Sequence, residues 1–367
     1  MTAATSPSGA RARQSRNSAN LLRYGLIAGI IVGLITITTV VGRDQNTPAV
    51  IIASFLATLV AVATPITLGA LGGIFCERAG VVNIAIEGLM LSAAFFGFVA
   101  AAQVKAWGVP SLPSLLAGVL AAVLASVLFS LLHAVLSITF RIDQVISGTV
   151  INILAMGLTG YLHQQLVFQG GDLPAAGVLP VLRVPFLADI PVVGQIFQQQ
   201  PMAILAIVLV GVTHFVLFHT TWGLHTRAVG EHPRAADTVG INVQAIRYAN
   251  VLIGGVIAGL GGAYFTLESV PNFQPLMTNG RGFIALAAVI FGNWTPAGAW
   301  AAALLFGAAQ ALQINLQFYA SALPASLGFL KTSQFVGMVP YLLTMLALTG
   351  VMGRSTAPAA DGQPYEH

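Results

Sequence analysis

The chain has 367 residues, of which 56% are hydrophobic and only 7% are charged, and its mean hydropathy is +0.86. A soluble domain carries about 25% charged residues, so most of the surface of this chain is expected to face lipid. Its net charge of +4 is spread without a basic patch, which excludes nucleic-acid binding, and the single cysteine, Cys76, excludes an internal disulfide.

Long apolar runs divide most of the chain into membrane segments. Residues 1–20 are small, polar and basic, and are predicted to form a disordered cytoplasmic tail. Residues 21–354 are predicted to form an all-α membrane domain, since a spanning helix needs about 20 mostly apolar residues. Residues 355–367 are predicted to be a second cytoplasmic tail. Charges, prolines and amides divide the domain into about ten segments, near 22–42, 49–75, 81–104, 114–139, 145–168, 201–219, 247–268, 282–292, 297–318 and 334–353.

The eighth segment, 282–292, is too short to cross a membrane alone. It ends at the sequence FGNWTPAG, where glycine and proline favour an interruption of the helix. We therefore expect a half-helix that is broken here and continues into the ninth segment. Interrupted helices release backbone groups, which a membrane tolerates around a cavity.

The basic residues predict the orientation of the chain. With the N-terminus in the cytoplasm, ten of the fifteen Lys and Arg residues fall inside and five fall outside. Because cytoplasmic loops are enriched in these residues, both termini are predicted to be cytoplasmic. Residues 169–200 then form a proline-rich extracytoplasmic loop, either as interfacial pieces or as a plain spacer, and residues 220–246 form a long cytoplasmic loop.

The cytoplasmic loop is the longest polar stretch in the chain. Thr226 to Gly230 can form one or two helical turns, and Pro233 suits the first position of a second helix. A solvated connector would normally be shorter, about 4–6 residues. We favour a docking surface, because ion pairs can set the register of a partner that approaches exposed small residues, here Ala228, Gly230, Ala235 and Ala236.

Several stretches resemble one protein family in the same order along the chain. GLHTRAVGEHPRAADTVGINV is similar to the cytoplasmic coupling loop of ABC-importer permeases for branched-chain amino acids, simple sugars and nucleosides. ALGGIFCERAGVVNIAIEGLML, DQVISGTVINILAMGLTGYL and GRGFIALAAVIFGNWTPAGA agree with the same family. The stretches ERAGVVNIAIEG and GRGFIALAAVIFGNW look most like the nucleoside-type permeases. The resemblance implies a type II ABC importer-like permease fold in a bacterial cytoplasmic membrane.

The resemblance also implies a set of partners. They are an ABC ATPase with tandem nucleotide-binding domains, a second homologous permease subunit and an extracytoplasmic substrate-binding lipoprotein. This sequence has no G-x-x-x-x-G-K-[ST] phosphate loop, so ATP and Mg would be used by the ATPase, and this chain is expected to be neither an enzyme nor a cofactor-binding or metal-binding protein. The implied ATPase-coupling residues are Thr226, Arg227, Ala228, Val229, Gly230, Glu231, His232, Pro233, Arg234, Ala235 and Ala236. Gly230→Arg or Glu231→Arg is expected to abolish transport without unfolding the permease.

ERAGVVNIAIEG carries acidic residues into an apolar run. Counted along a helix from Arg78, Glu87 lies about 13 Å into the membrane, near its midplane, with Asn83 one turn earlier on the same face. An intramembrane acid usually faces a cavity or a partner. Two roles are compatible with the sequence: Glu87 lines the substrate pathway, or it locks helices together through Ser147 or Asn152.

Other polar and aromatic residues are suited to a nucleoside, which has an aromatic base and a polar ribose. For Phe283, a packing or lipid-facing role is the alternative. Glu268 is expected at the outer interface, about 21 residues beyond Arg247, and needs no special role. The predicted substrate pathway consists of Asn83, Glu87, Ser147, Thr149, Asn152, Phe283, Asn293 and Trp294.

Three functions remain after these considerations. The first is the permease subunit of an ATP-driven nucleoside importer, and the second is the same subunit for a simple sugar such as ribose. The third is a stand-alone secondary transporter, for which Glu87 is the one good ion-coupling candidate and the long inner loop has no role. A membrane-embedded enzyme is disfavoured, because no catalytic pair recurs at helical spacing within a span.

Overall fold

The computed structural model describes residues 48–168, 174–175, 177–190, 193–318, 338 and 355–366. The predicted first and last spans, 22–42 and 334–353, and part of the loop 169–200 lie outside these residues. The described chain is mostly helical, as the apolar segments predict. Two short strands, Leu182–Arg183 and Gln198–Gln199, and a 3-10 turn at Val193–Phe197 lie in the loop.

The helices are numbered here in chain order within the described residues. Three of them end in a π-helical turn, at Val135–Thr139, Gln164–Phe168 and Phe265–Ser269. The ten α-helices are α1 (Pro48–Arg78), α2 (Ile86–Ala106), α3 (Ser111–Ala134), α4 (Gln144–His163), α5 (Pro201–His219), α6 (Thr221–Glu231), α7 (Pro233–Thr238), α8 (Val243–Tyr264), α9 (Arg281–Phe291) and α10 (Pro296–Phe318).

Seven helical stretches in the described part of the chain are long and apolar enough to cross a membrane. They confirm seven of the predicted spans. The eighth, α9, is a short apolar helix of 11 residues, and the chain leaves helical geometry between Phe291 and Pro296. The predicted break at FGNWTPAG is therefore confirmed. The seven stretches are Ala49–Arg78, Ile86–Ala106, Ser111–Thr139, Gln144–Val167, Pro201–His219, Val243–Ser269 and Pro296–Phe318.

The chain divides into two compact units. One consists of Met1–Val62, Val184–Gln198 and Leu304–Thr356. The other consists of Ala63–Arg183, Gln199–Ala303 and Ala357–His367, and it contains every residue of the site described below.

Helices α2, α3 and α8 form the centre of the second unit. On α8, Gly255 lies so close to α3 that an added Cβ would collide with the side chain of Ser130. Two α3 hydroxyls donate hydrogen bonds across this contact, Ser126 to the Gly255 carbonyl and Ser130 to the Val251 carbonyl, both at 2.7 Å. In lipid, the hydrophobic effect contributes little to helix association. Small residues stabilise the contact instead, because they allow the two backbones to pack closely.

One predicted boundary is wrong. The third segment does not begin as a helix near residue 81, because α1 ends at Arg78 and α2 begins at Ile86. The seven residues between them are held by distant side chains. The Val82 N–H donates to Gln144 Oε1 at 2.6 Å, and the Val82 carbonyl lies 3.0 Å from His133 Nε2. These partners satisfy backbone groups that a helix would have paired internally.

Candidate functional site

The end of α1 and the start of α2, which flank their short connection, contact the two ends of the half-helix α9. At its α2 end, Glu87 accepts three hydrogen bonds from the start of α9. Its Oε1 accepts from the Thr278 hydroxyl at 2.7 Å and from the Gly280 N–H at 2.8 Å. Its Oε2 accepts from the Gly282 N–H at 2.7 Å. The first N–H groups of a helix have no partner within it and carry partial positive charge, so a carboxylate is well matched to this position.

The approach of Glu87 to α9 depends on a glycine. A Cβ at residue 282 would collide with the backbone of Glu87, and no other residue type fits at this distance. The sequence GRGF therefore supplies both the N–H donors and the space that the carboxylate needs.

At the α1 end of the connection, two neighbouring residues hold the break after α9. Glu77 Oε2 accepts a hydrogen bond from the Trp294 indole N–H, and Arg78 Nε donates to the Trp294 carbonyl at 2.9 Å. Glu77 is 5% exposed and Trp294 is 5% exposed. Asn293 and Trp294 both have positive φ, near +50°, which bulky residues rarely adopt unless surrounding contacts hold them there.

Two acids ten positions apart in sequence thus hold opposite ends of one helix. The 11 residues of α9 correspond to a length of roughly 16 Å. The distance between the contacts of Glu77 and those of Glu87 is therefore set by the length of α9. The depth of Glu87 predicted from the sequence assumed a continuous helix from Arg78, and this assumption is wrong because residues 79–85 are not helical. Of the two roles considered for Glu87, the contacts are those of a residue that fixes helices. Its partners are Thr278, Gly280 and Gly282 rather than Ser147 or Asn152.

Three other predicted pathway residues also fasten the connection. Asn152 Oδ1 accepts from the Gly88 N–H at 2.7 Å, and its Nδ2 donates to the Ile84 carbonyl at 2.9 Å, so α4 holds the start of α2. Ser147 lies 3.0 Å from His133 Nδ1. Asn83 is fully buried and donates to Cys76 Sγ at 3.4 Å. Asn83 precedes α2, so the prediction that it shares a helical face with Glu87 is wrong.

The remaining predicted pathway residues lie at more open positions. Phe283 on α9 is 49% exposed. Thr149 is exposed on α4 and donates to the Val145 carbonyl of its own helix at 2.8 Å. Asn293 is exposed at the break after α9, next to the buried Trp294. The eight residues therefore divide into a fastened group around the α1–α2 connection and a more accessible group.

The predicted docking segment forms two helices, α6 and α7, separated by His232. Pro233 is the first residue of α7, as predicted, because a proline has no N–H to lose at that position. Thr220 caps the start of α6 by accepting from the Gly223 N–H at 3.2 Å. Glu231 and Arg234 are exposed, as expected for residues that meet a partner.

Part of the segment faces inward, which corrects the prediction of exposed small residues. Gly230 is buried, and Ala236 is 4% exposed. A Cβ at residue 230 would collide with the Arg78 carbonyl oxygen, so Gly230 is required for close packing of α6 on the end of α1. Thr226 and Val229 are also fully buried. The expectation that Gly230→Arg would leave the fold intact is therefore wrong, since the new side chain has no space.

The outward face of α6 and α7 carries an apolar groove of about 390 Å³. Two large apolar side chains in it are strongly exposed, Leu224 at 57% and Val239 at 75%. Both lie outside the predicted residues 226–236. The sequence did not point to them, because their exposure is visible only in the structure. The docking groove, as we name it, is lined by Leu224, Ala228, Ala235, Ala236, Val239 and Ile241, with the polar side chains of Arg227, Glu231 and His232.

Glu268 also differs from its predicted role. It is 2% exposed, and its Oε1 accepts from the Met202 N–H at 2.6 Å, in the first turn of α5. Gln200 Nε2 donates to the Glu268 carbonyl at 2.8 Å. Like Glu87, this carboxylate caps the start of another helix, so the expectation that Glu268 needs no special role is wrong.

Comparison with known proteins identifies the family to which this chain belongs. Residues 55–348 match the family described as branched-chain amino acid transport system / permease component. The guanosine ABC transporter permease protein NupQ of Bacillus subtilis is 44% identical over 315 residues, which are 84% of this chain and 95% of that protein. The nucleoside ABC transporter permease protein NupC of Lactococcus lactis is 39% identical, over 87% of this chain and 98% of that protein. The putative glucose ABC transporter permease protein TsgC13 of Haloferax volcanii is 33% identical, over 85% and 97%.

Proposed function

Because the chain belongs to the branched-chain amino acid-type family of transport permease components, we propose that it forms the membrane pathway of an ATP-driven nucleoside importer. Identities of 44% and 39% to a guanosine and a nucleoside permease, across most of both chains, carry the proposal. The seven membrane-spanning stretches in the described residues support it. We further propose about ten segments in total, with both termini in the cytoplasm, a tail at 1–20 and a membrane domain at 21–354.

The energy for uptake comes from partners in this proposal. An ATPase with tandem nucleotide-binding domains uses ATP and Mg, a second homologous permease completes the pathway, and an extracytoplasmic lipoprotein delivers the nucleoside. The docking groove supports this assignment, since an exposed apolar surface flanked by charged residues is typical of a protein interface. Closure of the ATPase would then move α6 and α7 as a rigid body.

The half-helix α9 is the proposed wall of the pathway. Its half-exposed Phe283 offers an aromatic face on which a base can stack. Thr149 and Asn293 offer polar groups at accessible positions. The remaining predicted residues, namely Asn83, Glu87, Ser147, Asn152 and Trp294, position this wall through the hydrogen bonds described above.

An uptake assay tests the substrate class. The permease is produced with its partner subunits in bacteria that lack other nucleoside uptake, and entry of radiolabelled guanosine is followed. We expect unlabelled nucleosides to compete, and ribose, glucose and leucine to have no effect at equal concentration. Competition by a sugar would favour the alternative that the glucose permease relative supports. Uptake that persists when the ATPase subunit carries an inactive phosphate loop would favour a stand-alone transporter instead.

A second experiment tests the docking groove. Leu224→Asp places a charge in the apolar groove without disturbing the core, because Leu224 is 57% exposed. We expect nucleoside uptake to fall to background while the variant remains at wild-type levels in the membrane, since the ATPase no longer binds productively. Pull-down of the ATPase by the tagged permease measures this loss directly.

The matched control is Thr221→Asp on the same helix. Thr221 is exposed and does not line the docking groove, and an acidic residue in the first turn of α6 is favourable. It should retain both uptake and ATPase binding. If Leu224→Asp behaves like this control, the groove does not bind the ATPase.

A further inference from the structure

The C-terminal segment, residues 357–366, lies beyond the part of the chain that matches the family, which ends at residue 348. It packs on the end of α6. The Ala360 N–H donates to the Gly230 carbonyl at 2.8 Å, and the Ala359 N–H donates to Glu231 Oε2 at 3.2 Å. The last carbonyl groups of a helix have no partner within it, so the C-terminal segment supplies a donor that α6 itself lacks.

The same segment covers Arg247, near the start of α8. Arg247 is 1% exposed, and its Nη1 donates to the Gln363 carbonyl at 2.9 Å. Asp361 lies close enough to the Arg247 guanidinium, the Glu77 carboxyl and the Cys76 thiol to influence each of them electrostatically. Burial raises the pKa of Asp361 above its usual range, although the Gly362 N–H and Arg247 act in the opposite direction. The segment therefore supplies the Gln363 carbonyl as an acceptor to a buried guanidinium and places the Asp361 carboxyl beside it.

An aromatic side chain completes the contact. Tyr365 is 7% exposed and packs in one cluster with Val229 of α6, Ala236 of α7 and Ile246 of α8. Residues of three helices thus share one buried apolar cluster with this ring. By contrast, the exposed Arg141–Glu366 ion pair at 3.4 Å contributes little, because water screens both partners.

The C-terminal segment leaves the docking groove open. None of its residues lines that groove; it borders a second cavity of about 850 Å³, which shares Glu231, His232 and Ala235 with the groove. Gly230 is contacted by Arg78 through close packing and by Ala360 through a hydrogen bond. The segment is therefore placed to hold α6 without competing with a partner in the groove.

We propose that the C-terminal segment is a positioning element of energy coupling, which fixes α6 against α1 and α8 so that movement of the docked ATPase reaches the membrane helices. This inference rests on the proposed coupling role of α6 and α7. Ala360 and Tyr365 act through α6 and make no contact with the nucleoside. Without the segment, α6 keeps its groove and its direct hydrogen bond to α8, in which Asn250 Nδ2 donates to the Thr226 hydroxyl at 3.1 Å. It loses the additional link to α8 that runs through Arg247, Gln363 and Tyr365.

Hydrogen exchange of the assembled transporter tests the attachment. Ending the chain after Thr356 or introducing Tyr365→Ala should speed exchange of the α6 backbone amides by at least ~10-fold, as expected for a locally loosened helix. Tyr365→Phe keeps the ring and loses only the hydroxyl contact with Asp237 of α7, so exchange of the α6 amides should stay much closer to the wild-type rate than in Tyr365→Ala. Glu366→Ala removes the screened ion pair alone and serves as the control. Unchanged α6 exchange in both of the first two variants would overturn the proposal.

The second readout is the number of nucleosides imported per ATP hydrolysed. In Tyr365→Ala we expect retained basal ATP hydrolysis and a severalfold drop in this ratio, which a merely structural contact would not change. An unchanged ratio despite faster α6 exchange also overturns the proposal. The coupling role itself is tested separately by Leu224→Asp: if that variant transports normally, the proposed function of the groove fails regardless of the exchange result.

Discussion

Replacement of Glu87 by alanine is expected to abolish nucleoside uptake and to destabilise the permease by roughly 2–4 kcal/mol, because three donors lose their acceptor at once. The N-terminal end of α9 would no longer be fixed to α2. Glu87→Gln keeps one acceptor oxygen, but its NH₂ group faces a donor, so an intermediate loss is expected. Thermal unfolding of the purified protein in detergent and guanosine uptake in cells measure the two effects.

Asp143→Ala is the matched control for this substitution. Asp143 is also a carboxylate at a helix start, and it accepts from the Val145 and Ile146 N–H groups on an exposed part of α4. Its loss should cost about 1 kcal/mol and leave uptake near the wild-type level. If Glu87→Ala costs no more than Asp143→Ala and still transports, Glu87 does not hold α9 in place.

Replacement of Trp294 by alanine is expected to cost about 3–5 kcal/mol, because it empties a buried indole site and leaves Glu77 without its donor. The left-handed backbone at Asn293 and Trp294 loses its side-chain support at the same time. Arg78 binds the carbonyl of this residue, so that contact survives the substitution. We expect uptake to be lost together with stability.

Trp294→Phe removes the indole N–H but keeps an aromatic ring, so it distinguishes loss of the hydrogen bond from loss of packing. Combined with Glu77→Gln in a double-mutant cycle, it should show non-additive losses of about 0.5–3 kcal/mol in the free energy of unfolding. Strictly additive effects of the two substitutions would show that the Glu77–Trp294 contact does not stabilise the break after α9.

The sequence was sufficient for the helices whose formation depends on local properties. Apolar length predicts the seven spans seen in the described residues, and the FGNWTPAG sequence predicts the end of α9. The start of α2 could not be predicted, since Val82 is held by Gln144 and His133, which lie more than fifty residues away. No local pattern records such partners, and the intervening residues are apolar enough to resemble a helix.

The candidate site was located by the sequence, but the role of individual side chains was not. A small residue such as Gly230 fits an exposed docking surface and a tight internal contact equally well, and only the nearby Arg78 carbonyl decides between them. Acidic residues were ambiguous for a similar reason. Depth along a helix could not reveal that Glu87 and Glu268 each cap a helix distant in sequence.

The stretch from Glu77 to Glu87 also has to span a fixed distance. One carboxylate reaches Trp294 and the other reaches Gly280 and Gly282, so the distance spanned from Glu77 to Glu87 must match the distance between the two ends of α9. Inserting or deleting one residue in either stretch would put one carboxylate out of register with its donors. The length of each stretch is therefore expected to be as strongly constrained as the identity of Glu77, Glu87, Gly282 and Trp294.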